Sequence, residues 1–208
     1  IGNNAGLNMT TGRYTTIVGS GAGDAITEGE NNTAIGAYSM SATTIGNSNT
    51  AVGYYSLVTN VDGDANTAIG YRAMHNYEPA DGTGYNTAVG SDAGYSLTTS
   101  VSNVLIGASA GFYLTTGTMN TAVGQDCLAD ETTGSYNVSI GKSAMSSSSL
   151  TSRNVAVGFE ALYNCTQGSL TDTYNVAIGY TAGKAITSGQ YNVLVGSKAG
   201  DVLTTGAA

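Results

Sequence analysis

A short motif, Asn-[Thr/Val]-Ala-[Ile/Val]-Gly, returns along this chain at a nearly fixed interval, and that interval constrains the fold more than any other feature. Its closing glycines are Gly2, Gly19, Gly36, Gly53, Gly70, Gly90, Gly107, Gly124, Gly141, Gly158, Gly179 and Gly196. Nine of the eleven intervals are 17 residues; the two others, before Gly90 and Gly179, are 20 and 21. A unit this short cannot enclose a core alone, so successive units must stack. The expectation is an all-β parallel β-solenoid, a β-roll or β-helix, with twelve turns of about 17 residues forming one repeat domain over 1–208. The longer intervals add three and four residues, predicted as loops near 78–84 and 168–174 on the same part of the repeat. At about 4.8 Å per turn the rod would be roughly 55–60 Å long, and 17 residues limit each circuit to about 56 Å.

Aligned by their glycines, the repeats become columns. The residue before each glycine is Ile or Val in all twelve copies, from Ile1 and Val18 to Val195, and this column is expected to be core. Two residues earlier, on the same strand face, stands a Thr column (Thr33, Thr50, Thr67, Thr87, Thr121) that changes to Val at Val104, Val138, Val155, Val176 and Val193. The opposite face carries Ala34, Ala51, Ala68, Ala88, Leu105, Ala122, Ser139, Ala156, Ala177 and Leu194, with no charge. A strand apolar on both faces is covered on both. One face then points into the coil and the other asks for a partner, most simply a second copy, unless a flattened two-layer coil covers both. With Ile/Val assigned to the core, the alanine face is the one expected to need covering.

Asn opens the strand at Asn32, Asn49, Asn66, Asn86, Asn103, Asn120, Asn137, Asn154, Asn175 and Asn192. Stacked one turn apart, these amides can form a hydrogen-bonded ladder. Four residues after the closing glycine comes either Gly or a large aliphatic. Copies with Gly6, Gly23, Gly94, Gly111, Gly183 and Gly200 carry Met9, Ile26, Leu97, Leu114, Ile186 and Leu203 three residues later. Copies with Met40, Leu57, Met74, Leu128, Met145 and Leu162 carry Thr43, Asn60, Tyr77, Glu131, Ser148 and Cys165 instead. Close packing predicts one core slot per turn, filled from either side. A second glycine column (Gly12, Gly29, Gly46, Gly63, Gly117, Gly134, Gly168, Gly189, Gly206) is expected to mark a corner with positive φ.

Composition narrows the function. Six basic residues against 14 acidic ones, net −8, leave no cationic footprint for nucleic acid, and no apolar run is long enough to insert in a membrane. The lone His75 has no nucleophile elbow beside it. Acidic residues are dispersed on turns rather than paired in a groove, as glycan hydrolysis needs. Asp62-Gly63-Asp64 reads as a solvated turn, because the calcium-binding nonapeptide is missing. Cys127 and Cys165 lie two turns apart, beyond disulfide reach, and are expected as buried free thiols. No catalysis, metal or cofactor is expected. Tyr14, Tyr85, Tyr136, Tyr174 and Tyr191 precede the strand Asn and should stack along the side of the rod. Tyr54, Tyr55, Tyr71, Tyr113, Tyr163 and Tyr180 are the candidate glycan contacts, a pattern that ordinary solenoid edge residues also fit. A Thr column facing inward predicts no ice binding.

The runs Asn154-Val155-Ala156-Val157-Gly158 and Asn175-Val176-Ala177-Ile178-Gly179, followed by Ala161 and Ala182, resemble the head repeat of YadA-like trimeric autotransporter adhesins, although that repeat is shorter. The longer pattern from Asn86 to Ser100, and again from Gly107 to Gly124, resembles repeats of phage tail-fibre proteins. The resemblance covers the whole chain. It implies a homotrimer in a virion tail fibre or on a bacterial or extracellular surface. The chain opens inside a repeat, which predicts a segment of a longer fibre chain. Its expected role is a structural shaft or spacer that projects a receptor-binding tip. The alternatives are an adhesive segment binding host-surface glycan, or a self-assembling extracellular filament.

Overall fold

The computed structural model describes residues 1–79, 82 and 84–206. It is an all-β parallel solenoid of about ten turns, with no helix among the described residues. The strands are β1 (Thr16–Val18), β2 (Thr33–Ile35), β3 (Thr50–Val52), β4 (Thr67–Ile69), β5 (Thr87–Val89), β6 (Val104–Ile106), β7 (Thr121–Val123), β8 (Val138–Ile140), β9 (Ser149–Ser152), β10 (Val155–Val157), β11 (Thr166–Asp172), β12 (Val176–Ile178) and β13 (Val193–Val195). Eleven of them, all but β9 and β11, form one parallel sheet in chain order. Pairing is column on column: Thr33 lies beside Thr50, Ala34 beside Ala51, Ile35 beside Val52. Ahead of β1, Ile1 continues its column, with its carbonyl accepting from Gly19 N at 2.8 Å.

The closing glycines are forced by both conformation and space. Gly36 has φ +129°, and a Cβ on it would lie 2.5 Å from the carbonyl oxygen of Gly53. The second glycine column has a different cause from the one expected. Its members are not in positive φ. A Cβ at Gly29 would instead stand 2.5 Å from the Gly46 carbonyl oxygen and 2.9 Å from Asn32 Nδ2, so close approach excludes a side chain there.

The strand faces are the reverse of the expectation. Ala34 is 0% exposed while Ile35 on the same strand is 37% exposed, and this alternation runs along the sheet. The alanine column therefore lines the coil, and the Thr/Val and Ile/Val columns point outward. The core slot is the reason. Met40, Leu57, Met74, Leu128, Met145 and Leu162, or Ile26, Leu97, Leu114 and Ile186 in the alternate copies, are all fully buried, and they fill a narrow interior. Opposite them only a methyl fits.

The exceptions obey the same packing. A Cβ on Gly94 or Gly111 would meet Leu105 Cδ atoms at 2.9–3.0 Å, and one on Gly183 or Gly200 would meet Leu194 at 3.0 Å. Ile17 stands likewise between Gly6 and Gly23, at 3.0–3.1 Å. A large residue enters the alanine column where both flanking slots have glycine. Filling the slot from the early side has its own cost. Met40, Leu57 and Leu162 take left-handed φ of 52°, 51° and 49°, a conformation that costs an L-residue roughly 1–2 kcal/mol.

The second insertion lengthens β11 to seven residues, which pairs with β9 through a register shift between Thr166 and Thr171. In the first insertion, residues 80, 81 and 83 lie outside the described residues. Around them, Tyr77 is fully buried, and Glu78 Oε2 accepts from Val61 N at 2.9 Å.

One-slot packing is open to a double-mutant test. Thr43→Leu should destabilise by about 1–3 kcal/mol through overfilling, and Met40→Gly by roughly 2–5 kcal/mol through a cavity, in a turn whose neighbouring wall residues are Ala34 and Ala51. Combined, they recreate the other natural filling, and urea denaturation should show a loss smaller than the sum.

Candidate functional site

Three surfaces and clusters could carry function: the outward sheet face, the aromatic edge, and the buried polar side of the coil. On the outward face, no strand of the eleven-stranded sheet presents a charged residue. Its aliphatic row is substantially solvent-facing, with Ile140 and Ile178 near two-fifths exposed and Val193 and Val195 at 71% and 67%.

Of the candidate glycan contacts, Tyr54, Tyr55 and Tyr71 meet in one cluster. Tyr54 stacks on Tyr71 at 5.9 Å between centroids and packs edge-on against Tyr55 at 4.3 Å. The stripe continues through residues that sequence reasoning left out of the set. Tyr38 stacks on Tyr55 at 5.2 Å, His75 packs against Tyr55 and stacks on Tyr95, and Phe112 stacks on Tyr95 at 5.1 Å. Tyr113 joins through Phe112, edge-on at 4.8 Å. The Arg72 guanidinium lies over Tyr71 and Tyr95, 4.7 and 5.0 Å from their centroids, and pairs with Asp92 at 2.8 Å. The signal for His75 and Phe112 was available: both stand five residues after a closing glycine, in one column with Tyr95.

Tyr163 and Tyr180 form a separate patch. Tyr180 stacks on Phe159 at 5.5 Å, while Lys184 pairs with Glu160 and places its ammonium 5.7 Å from the Tyr163 centroid. In the column before the strand Asn, Tyr174 stacks on Tyr191, and Arg153 sits over Tyr136 and Tyr174. Tyr14, 81% exposed, and Tyr85 stand outside that stack.

The Asn column is a buried, continuous ladder. From Asn32 to Asn192, each Oδ1 accepts the backbone N–H of the next Asn at 2.9–3.1 Å. The amide nitrogen also reaches across the coil to the far corner: Asn32 Nδ2 donates to Gly46 O at 2.7 Å and Asn120 Nδ2 to Gly134 O at 2.9 Å. Asn154, whose turn carries the longer insertion, donates to Ser152 O instead, and Thr173 Oγ1 donates to its Oδ1 at 2.6 Å.

Among the described residues, Glu131 is the one acidic residue fully buried in the coil. Its Oε1 accepts from the backbone N–H groups of Thr132, Thr133, Gly134 and Leu150, and its Oε2 from the N–H and hydroxyl of Thr151. Those donors replace the water that a buried carboxylate loses. The carboxylate thus ties two turns together. Cys127 and Cys165 are free and buried. Burial pushes both thiols up to about 11. Among the described residues, no three His, Cys, Asp or Glu side chains gather as a metal site would require.

Comparison with known proteins found no matching family model, no matching characterised protein and no matching solved structure.

Asn120→Ala should orphan the Asn137 N–H and the Gly134 carbonyl, about 1–3 kcal/mol each, seen as a lower urea midpoint. Asn192→Ala, at the last rung, should cost less. The thiols should resist an aromatic disulfide reagent at pH 8 until the chain unfolds. Because their folded-state pKa is raised, their contribution to stability is complete below about pH 9 and declines as pH rises toward 11, which thermal melts across that range would register.

Proposed function

We propose that this chain is a structural shaft or spacer segment of a trimeric fibre, such as a phage tail fibre or bacterial surface adhesin, in which twelve-repeat coils from three copies lie side by side. The observation that carries this reading is the uncharged outward face of the main sheet, in its aliphatic stretch from β8 to β13. Every acidic and basic residue lies elsewhere, so two copies with net charge −8 can approach along this face with least repulsion. The face is also periodic at one strand spacing, about 4.8 Å. A second copy has the same period and can meet the strands from β8 to β13 together, leaving β1 to β5 uncovered. The aliphatic stretch from β8 to β13, where Val138, Val155, Val176 and Val193 flank the Ile/Val row, is the strongest part of this surface. Exposed apolar strips of this kind mark association surfaces. A mechanical role suits a chain whose polar interior is spent on tying turn to turn.

A second reading, an adhesive segment for host-surface glycan, draws on the aromatic stripe from Tyr38 to Tyr113. Stacking already covers ring faces at Tyr54, Tyr55 and Tyr71, which a sugar ring would need. Loss of glycan-array binding on Tyr54→Ala or Tyr71→Ala would favour this reading over the shaft.

Light scattering of the intact chain should give three times the single-chain mass, and Val155→Glu should lower it to that of one chain. A monomeric wild type would overturn the trimeric shaft.

A further inference from the structure

We infer that the stretch of the outward face from β1 to β5 is a binding surface for ordered water, and specifically for the surface of an ice crystal. The sheet face changes character along its length. From β1 to β5 the first outward column is Thr16, Thr33, Thr50, Thr67 and Thr87, and the second is Val18, Ile35, Val52, Ile69 and Val89. Beyond β5 the hydroxyl survives in that column only at Thr121.

The threonine hydroxyls are the telling feature. Elsewhere on the coil, threonines give their hydroxyls to the next turn: Thr98 Oγ1 donates to Thr115 O at 3.1 Å and Thr115 Oγ1 to Thr132 O at 2.9 Å. The five outward hydroxyls make no hydrogen bond with any other described residue. They are left to the solvent, in a row, one per turn. Threonine is stiff at χ1, so the row holds both its hydroxyls and its methyls in place. Register pairing of Thr16 with Thr33, Thr33 with Thr50, Thr50 with Thr67 and Thr67 with Thr87 keeps the array regular. Hydroxyls repeat about every 4.8 Å along the axis, and the parallel aliphatic row lies about 6.6 Å away across the strand.

A regular two-dimensional lattice of donors and methyls, held in register from strand to strand, favours ordered over disordered water. Charge points the same way. The stretch is neutral, and it matches a neutral lattice, whereas a charged partner would find no counter-charge on it. Had the threonines faced inward, as the sequence reading had it, none of this would follow. The inference is independent of the trimeric shaft, because the aliphatic stretch from β8 to β13 is separate from it along the axis.

The test uses the intact chain and slowly grown ice. Wild-type protein should concentrate in the ice fraction and produce thermal hysteresis that rises with concentration. Thr33→Tyr/Thr67→Tyr, which raises two bulky groups above the plane, should bring both readouts to the level of a non-binding control protein. Thr33→Val/Thr50→Val/Thr67→Val should also lose most of the enrichment. Val already occupies that column in later strands, so this variant keeps the fold, which circular dichroism checks. Ser146→Lys, away from the face, should behave as wild type. No enrichment of the wild type, or a triple-Val variant that binds ice as well as the wild type, overturns the inference. Light-scattering mass on the same samples reports separately on the shaft.

Discussion

From Asn32 to Asn192, each turn of this coil is held to the next by a carboxamide that has nowhere else to go. The strand Asn is buried, and its oxygen takes the backbone N–H of the following Asn while its nitrogen takes a carbonyl at the far corner. A buried amide left unpaired would be costly, so the ladder fixes both the separation of successive turns and the position of the corner across the coil. The second glycine column follows from it. At corners such as Gly29, Gly46 and Gly189 the chain comes so close to the amide and to the next corner that a side chain would collide, whereas Gly168, in the lengthened β11, has nothing within 4 Å.

Given that frame, the interior takes one large aliphatic side chain per turn, with a buried polar, thiol or aromatic group such as Asn60, Cys165 or Tyr77 in the late position when the early one is filled. Whether the aliphatic arrives from the position after the small residue or from three residues later is immaterial to the packing, and the chain uses both. The early route puts Met or Leu in left-handed backbone; the late route uses glycine there and avoids that cost. Where two neighbouring turns use glycine, a larger residue can enter from the strand wall, as at Leu105. Glu131 occupies the late position of a turn whose slot Leu128 fills, and is accepted there because six donors surround it.

Surface character follows from what the interior does not need. With Ala sufficient inside, the branched residues of the strand are turned to the outside, where they build an uncharged sheet face. That face is the reason to propose side-by-side association toward one end and an ordered-water surface toward the other. The aromatic edge is a different matter. Its rings pair with one another from turn to turn, much as the amides do.

The sequence by itself determined the parallel solenoid, the Asn ladder and the one-slot rule. Each of these is a relation within or between columns, and a fixed period brings like residues into contact. It offered Tyr54, Tyr55, Tyr71, Tyr113, Tyr163 and Tyr180 as one set, and the tertiary structure divides them between two patches. Nor did the sequence determine which strand face is inside. Alternation assigns residues to two faces without saying which is which, and side-chain size suggested the wrong one. Only the tertiary structure decided that, because beside a slot filled from the early side the remaining volume admits little more than a methyl group, and Ile17, Leu105 and Leu194 enter only between glycines. The same holds for Glu131, whose burial depends on backbone N–H groups converging from two turns, and for His75, whose stacking partners come from the turns on either side.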